Sequence, residues 1–223
     1  MKYPVFSMFL LLVFTQQALA ADPSLDTNEK KFSYTIGFQM GQGLRQQGLE
    51  VDADAMIQAI RDVLDGAPLK LSLEEMQAAS RAYRAEEEEK RKVIADKNKK
   101  DGETFLAENA KKKGVKTTPS GLQYIVLNEG TGKHPSLNDN VSVNYRGTFI
   151  NGQEFDSSYK RGQPASFNAS GVIKGWQETL PLMKVGAKWK VFIPPELAYG
   201  AQGNSAIPPN ETLIFEIELL SIN

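Results

Sequence analysis

The amino-terminal third of the chain spaces its apolar residues with the period of an α-helix. Between Asp26 and Leu64, large apolar side chains recur every three or four residues in two separate stripes, a spacing that puts them on one face of a helix. Asp52 is a suitable N-cap for the second helix, and Gly66 with Pro68 ends it. Two such short helices cannot bury both apolar faces against each other. We therefore expect a partner surface, most simply the same segment of a second copy of the chain.

A long and strongly charged segment follows at 72–113. Ser72 and Glu75 form a capping box, which marks a helix start. Between residues 84 and 100 the only large apolar residues are one Val–Ile pair, and acid-before-base pairs four residues apart add about 0.2–0.5 kcal/mol each to a helix. A helix that is polar on all sides is typical of a solvated bridge, here roughly 60 Å long if it does not bend at Gly102. The alternative is a disordered charged linker.

Beyond Gly114 the pattern changes to alternating aromatic and β-branched residues, which is typical of strands. Four such runs occur, at 122–127, 141–145, 189–193 and 213–219. Asn151-Gly152 is a strong signal for a hairpin turn, and one helix interrupts the strands at roughly Lys174 to Leu182. We therefore expect an α+β protein with an N-terminal helical dimerisation region, a long connecting helix and a C-terminal antiparallel β-sheet wrapped around a short helix.

The first residues have the pattern of an export signal. Lys2 precedes an apolar run from Phe6 to Phe14, and residues 18–20 have the small-x-small form of a cleavage site. The run is too short for a stable transmembrane helix, and the alternative is an uncleaved anchor. The expected organisation is a signal peptide at 1–20, a helical dimerisation domain at 21–71, a linker helix at 72–113 and a β domain at 114–223.

The composition limits the chemistry that is available. The formal net charge of −1 gives no reason to expect a nucleic-acid partner. The chain has no cysteine, which excludes disulfides, thiolate catalysis and cysteine-based metal sites. The single histidine, His134, lies beside Pro135 in a turn-like stretch, where a histidine is ordinarily solvated. We expect no metal ion and no cofactor.

The remaining chemistry is concentrated in three strings of the last hundred residues. They are Tyr145-Arg146-Gly147 with Phe155-Asp156-Ser157-Ser158, Val172-Ile173-Lys174-Gly175-Trp176, and Leu197-Ala198-Tyr199-Gly200 before Ile207-Pro208-Pro209. Together they supply aromatic rings, one acid and one backbone donor, without a nucleophile–base pair or a phosphate loop. This set suits a pocket that holds an apolar ring and changes its conformation without making or breaking bonds.

From about Ser120 to Asn223 the chain resembles the FKBP-type prolyl isomerases, because these strings occur in the right order at compatible spacings. With its amino-terminal helices it resembles their exported, dimeric, macrophage infectivity potentiator-like subgroup. The resemblance implies peptidyl-prolyl cis-trans isomerase activity on proline-containing polypeptides, inhibition by macrolides and a homodimer through the N-terminal helices. It also implies a location in the periplasm or at the outer-membrane surface of a Gram-negative-type bacterium.

The resemblance assigns roles to particular residues. As catalytic candidates, Trp176 would form the pocket floor and the Ile173 N–H would bind a substrate carbonyl. Tyr199 would offer its hydroxyl from the opposite rim, and Asp156 would act as an acceptor or polarising charge. The substrate-binding candidates form the walls and rims or orient the acid: Tyr145, Phe155, Arg161, Val172, Ile207 and Phe215. Three further aromatic residues are assigned to core packing or given no definite role: Phe167, Trp189 and Phe192.

Three departures from the best-known single-domain relatives bear on the details of the site: Ala165, Gly171 and the compact loop 201–207. They affect substrate preference and macrolide affinity more than activity. Two other functions fit the sequence. One is a chaperone that holds proline turns with little catalysis, and the other is a surface factor that binds a host or matrix protein through the charged helix.

Overall fold

The computed structural model describes residues 24–223. The expected signal peptide at 1–20 lies outside the described residues. The chain forms two compact units, the first extending to Val51 and the second running from Asp52 to Asn223.

Helix α1 (Asn28–Gln46) begins at Thr27, whose hydroxyl accepts a hydrogen bond from the Lys30 N–H at 3.2 Å. Within the described part of the chain, none of its residues is buried. Most of its large apolar side chains are exposed, and Phe32 is 65% exposed. An exposed apolar helix face of this kind is typical of an interaction site.

Helix α2 (Ala53–Leu64) begins at the predicted cap, because the Asp52 carboxylate accepts from the Ala55 N–H at 2.8 Å. It ends before Gly66, whose φ of +65° lies in the left-handed region that glycine enters readily. Val63 is exposed near its C-terminal end. Both predicted boundaries of this helix are confirmed.

Helix α3 (Leu73–Asn109) is continuous over 37 residues, about 55 Å of helix. Both bonds of the predicted capping box between Ser72 and Glu75 are present, at 2.7 and 3.2 Å. The ion pairs differ from the expected ones, since Lys90 bonds Glu87 three residues away and Lys97 precedes its partner Asp101. The helix also ends four residues before the predicted Lys113.

The C-terminal part of α3 is not a solvated bridge, because it packs against the β domain. Gly102 is buried and lies against Thr212 of the sheet domain, so closely that a Cβ at this position would collide with the Thr212 side chain. The helix passes through Gly102 without interruption. The glycine therefore permits close approach between two elements and does not act as a bend.

A second contact near the end of α3 extends this packing. The ring of Phe105 lies 5.9 Å from that of Phe192. The Asn109 amide, which is 2% exposed, donates to Gln123 Oε1 at 3.0 Å. Buried amides need such partners, and a hydrogen bond between them fixes the register of the helix against the sheet.

The rest of the chain forms a seven-stranded antiparallel sheet with one short helix. The strands are β1 (Lys116–Thr117), β2 (Gln123–Asn128), β3 (Asn140–Phe149), β4 (Glu154–Ser157), β5 (Ala165–Asn168), β6 (Lys188–Ile193) and β7 (Leu213–Ile222). Their order is β1-β2-β6-β7-β3-β4, with β5 also paired to β3. The four predicted runs lie in β2, β3, β6 and β7, and the α+β class is confirmed.

The hairpin between β3 and β4 turns at the predicted Asn151-Gly152. Gly152 has φ +87°, and the Phe149 N–H donates to Gln153 O at 2.9 Å. The Asn151 side chain accepts from the Gln153 N–H. The turn brings β4, and with it the Asp156 side chain, back along β3.

One face of the sheet carries the core and the short helix α4 (Lys174–Thr179), which continues as a 3-10 turn (Leu180–Leu182). Along β7, alternate residues are buried in the core, as the two-residue period of a strand requires: Leu213, Phe215, Ile217 and Leu219. Gly175 lets α4 approach the sheet closely, because a Cβ there would lie 2.5 Å from the Ile193 side chain. This close approach brings Trp176 into the core.

Candidate functional site

A cavity of about 480 Å³ opens between α4, β3, β4, β5 and the loop after β6. Its lining residues are Tyr145, Phe155, Asp156, Phe167, Gly171, Val172, Ile173, Trp176, Tyr199 and Phe215. All candidate site residues except Arg161 and Ile207 are thus brought together around one cavity. Most of the lining is aromatic or aliphatic, with few polar groups, which is typical of a small-ligand site.

Trp176 lies at the centre of the aromatic cluster. The rings of Tyr145 and Phe215 meet its indole edge-on, each at 5.3 Å between centroids, and Phe167 does so at 5.9 Å. Such T-shaped pairs are favoured over face-to-face stacking and hold one another in place. The indole, 4% exposed, is therefore a rigid apolar surface in the cavity.

Asp156 is the charged group of the cavity. One carboxylate oxygen accepts from the Tyr145 hydroxyl. The other accepts from Arg161 Nη1 at 2.5 Å and from the Ser157 N–H at 2.8 Å. The second guanidinium nitrogen of Arg161 donates to the Tyr145 oxygen at 2.7 Å. Arg161 does not line the cavity, but it orients both groups that do.

These contacts decide the charge of the site. Burial acts to raise the pKa of Asp156, but the hydrogen bonds from Tyr145 and Arg161 and the Arg161 charge outweigh it and lower the pKa below its ordinary value. The pKa of Tyr145 is raised, first by burial and then by its bond to the carboxylate. At neutral pH the site therefore holds a carboxylate and a protonated phenol.

The rim formed by Val172 and Ile173 precedes α4. Ile173 is the N-cap of this helix without a side-chain cap, and its carbonyl accepts from the N–H groups of Trp176 and Gln177. In the part of the chain that the structure describes, its own N–H donates to no acceptor. The Gln177 side chain donates to Val172 O at 2.7 Å and Ser170 O at 3.0 Å, which holds this rim.

Tyr199 contributes the only side chain of the loop after β6 among the residues that line the described cavity. It is 38% exposed. Its pKa is raised by burial and, to a smaller extent, by the charge of Asp156. The hydroxyl therefore stays protonated at neutral pH and is available as a donor.

Ile207, predicted to bind substrate, is not among the residues that line the cavity. It is 3% exposed and packs in the hydrophobic core. The reason is the local turn: the Asn204 side chain accepts from the N–H groups of Ala206 and Ile207, both at 2.8 Å, and the Asn204 N–H donates to Ile207 O. These bonds close the loop and direct the Ile207 side chain inward.

The sequence did not decide whether Phe167 lies in the core or at the site, and it did not indicate that Gln177 holds the rim of the cavity. Phe167 lies in β5, a strand of four residues that is too short for a clear alternation, and its pairing with Val141 brings it to the cavity. Gln177 offered a weak signal as a polar residue directly after the core tryptophan. Within residues 24–223, no group of acidic or histidine side chains could hold a metal ion, and none of the helices is long and apolar enough to cross a membrane.

Comparison with known proteins identifies this architecture. The model described as "FKBP-type peptidyl-prolyl cis-trans isomerase" matches residues 131–220, and that of the "domain amino terminal to FKBP-type peptidyl-prolyl isomerase" matches residues 29–126. The chain is 43% identical over 224 residues to the peptidyl-prolyl cis-trans isomerase Mip of Coxiella burnetii, covering 98% of this chain and 96% of the relative. The chain belongs to the FKBP-type peptidyl-prolyl isomerases.

Two further relatives share nearly the whole chain with this isomerase. The outer membrane protein MIP of Legionella longbeachae is 40% identical over 227 residues, covering 100% of this chain and 97% of the relative. The crystal structure of FkpA from Escherichia coli matches with a TM-score of 0.63 and 39% identity, over 90% of this chain and 99% of that one. The isomerase therefore acts on proline-containing substrates through its C-terminal FKBP domain.

Proposed function

We propose that this isomerase rotates the X–Pro bond by holding the prolyl ring against Trp176, between Tyr145, Phe155 and Phe215. The observation that carries the proposal is the rigid aromatic cavity with one ionised acid at its edge. The uncatalysed rotation crosses a barrier of about 20 kcal/mol because the planar amide loses its resonance. The twisted amide has a less polar carbonyl, so a dry apolar cavity favours it over the planar form.

Polar groups at the rims would hold the substrate in the reactive geometry. The unpaired Ile173 N–H would bind the carbonyl next to the proline, and Tyr199 would donate to another substrate carbonyl from the opposite side. Asp156, kept ionised and oriented by Arg161 and Tyr145, would place a negative charge near the carbonyl carbon that becomes more electrophilic as the amide twists. Rotation forms and breaks no bond, so it requires no proton transfer, metal ion or cofactor.

We also propose that the protein acts as an exported homodimer. The exposed apolar side chains of α1 support pairing through the helical region at 21–71, with the helix at 72–113 joining it to the isomerase domain at 114–223. The name of the Legionella relative supports export to the periplasm or the outer-membrane surface, with the segment 1–20 as the signal peptide. Proline-containing polypeptides would be its clients, and macrolides would compete for the cavity.

The experiment that tests the proposal measures cis-to-trans exchange of a short Leu-Pro or Phe-Pro peptide with and without a macrolide. We expect acceleration that the macrolide abolishes, because both ligands would occupy the aromatic cavity. Macrolide-insensitive acceleration would count against the cavity as the site. No acceleration by well-folded protein would favour a chaperone that only binds proline turns, which an aggregation assay would then detect.

A further inference from the structure

Helix α3 is bonded to the loop that carries Tyr199. The Asn98 side chain donates to Pro209 O at 2.9 Å. In the opposite direction, the Asn210 side chain donates to the α3 carbonyl of Ala95 at 3.2 Å. The Arg91 guanidinium also donates to Gln202 O. The helix predicted as a spacer thus contacts the same loop that forms one rim of the cavity.

Asn210 is the point at which this contact connects to Tyr199. Its backbone N–H donates to the carbonyl of Gly200, the residue after Tyr199, at 2.9 Å. Two hydrogen bonds of Asn210 therefore connect the helix to the rim. Its side chain bonds the α3 carbonyl of Ala95, and its backbone N–H bonds the carbonyl of Gly200. The Tyr199 carbonyl itself accepts from the Gly203 N–H at 3.1 Å, so the loop is bonded on both sides of the tyrosine.

The backbone of Asn210 indicates that this position is held by its surroundings. Its φ of +54° makes it the only non-glycine residue with positive φ among residues 24–223. Asparagine enters this region more readily than most residues, but the conformation still persists only where several contacts enforce it. Here the enforcing contacts are those to Ala95 and Gly200.

We infer that Asn210 is a positioning residue for isomerisation, which sets the place of Tyr199 at the cavity by bonding its loop to α3. Asn98, which bonds the preceding carbonyl, supports the same contact. The inference rests on the proposed role of Tyr199 as a substrate donor. It gives α3 a part in the geometry of the active site in addition to joining two domains.

The test uses Asn210→Gly in the full-length protein. Glycine accepts a positive φ and keeps the N–H that bonds Gly200, so the substitution removes the side-chain bond to the helix without straining the backbone. The matched control is Asn128→Ala, which removes an equivalent amide bond, to Gly186 O at 2.8 Å, away from the residues that line the cavity. Asn98→Ala provides a second variant if Asn210→Gly fails to fold.

Each variant is made in the natural sequence and together with Tyr199→Phe, and kcat/KM is measured on a proline peptide. With the Tyr199 hydroxyl present, we expect Asn210→Gly or Asn98→Ala to lower kcat/KM about fivefold, within the range of coupling between residues in one network. In the Tyr199→Phe background, which lacks this hydroxyl, we expect almost no further loss. The control variant leaves kcat/KM unchanged. The ¹³C signal of the labelled Tyr199 ring should shift in Asn210→Gly and not in Asn128→Ala.

The outcomes separate this inference from the role of Tyr199. If Tyr199→Phe alone leaves kcat/KM unchanged, the proposed donor role is wrong and the positioning role is lost with it. If Tyr199→Phe lowers kcat/KM but both helix-contact variants do not, Tyr199 keeps its role and the inference is overturned. Equal losses with and without the Tyr199 hydroxyl would show a general structural effect, which also overturns it.

Discussion

Asp156 lies between two opposing influences, burial that disfavours its charge and donors that favour it. The donors prevail, so the residue is ionised and its carboxylate is held in one orientation by Tyr145 and Arg161. The acid alone was visible in the sequence as part of the Phe155-Asp156 string. Its fixed orientation depends on the strand pairing that brings β4 beside β3.

Substitution of Asp156 by leucine tests its role at the site. We expect Asp156→Leu to lower kcat/KM on short proline peptides at least about tenfold, a loss of about 1.4 kcal/mol or more of transition-state stabilisation. The fold should remain intact, because the side chain is at the edge of the cavity and not in the core. Circular dichroism checks the fold, and Ser136→Ala serves as a surface control. Unchanged turnover by the leucine variant would remove Asp156 from the site.

The acid limb of the pH profile reports the same carboxylate. The folded-state pKa of Asp156 is below the ordinary value of 3.8, so its ionised form contributes stability that is present above the unfolded-state value and is lost as the pH falls through the folded-state value. We expect the acid limb of kcat/KM, measured by NMR exchange, to have its midpoint below 3.8. In Tyr145→Phe, which lacks one donor to the carboxylate, the limb should move to higher pH. A decline that begins above about pH 5 would contradict this assignment.

At the scale of the elements, the sequence left open whether α3 is straight or bends at Gly102. Glycine is a weak point in a helix, since it is about 1 kcal/mol less favourable than alanine in a helix interior. In the folded chain the same glycine allows α3 to contact Thr212. The contact joins residues that are far apart in sequence, so no local pattern could show it.

Replacement of Gly102 by alanine separates these two interpretations. At a solvated bend, Gly102→Ala would stabilise the protein by about 1 kcal/mol. We expect it to destabilise the protein by about 1–3 kcal/mol, the usual range for overpacking, because the added methyl collides with the Thr212 side chain. Denaturant unfolding measures the difference in the free energy of unfolding.

Thr212→Ala should restore stability in the double variant, since it removes a hydroxyl that is buried without a partner in the described chain. Stabilisation by Gly102→Ala alone would contradict the packing role.

At the scale of the whole molecule, the apolar side chains that α1 exposes support the proposed homodimer. Large apolar surfaces on a soluble protein mark an interaction site. Ile36, in the predicted apolar stripe, is 45% exposed in the single chain. A dimer would also present two isomerase domains to one client, which raises the effective concentration of the second site.

Disruption of the exposed apolar face of α1 should prevent dimerisation without changing the isomerisation of a short peptide. We expect Ile36→Glu to convert a dimer to a monomer in sedimentation analysis, because the new charge would be buried without a partner. Turnover of a short peptide should be unchanged, and refolding of a proline-limited protein should slow. Lys31→Glu changes the charge of the same helix away from the stripe and should leave the dimer intact. A natural protein that sediments as a monomer, or an Ile36→Glu variant that remains a dimer, would contradict the assembly.

The local sequence was sufficient for helices α1 to α4 and for strands β2, β3, β6 and β7, because caps, hydrophobic periods and turn residues act over a few positions. It did not indicate the short strands β1, β4 and β5. It was sufficient for most of the cavity as well, since the strings that resemble the FKBP family carry the residues that meet there. The folded chain was needed for the inward direction of Ile207, the place of Phe167 and the contact of α3 with the Tyr199 loop. These depend on strand register and on bonds such as that from Asn98 to Pro209, 111 residues apart, which no short-range pattern encodes.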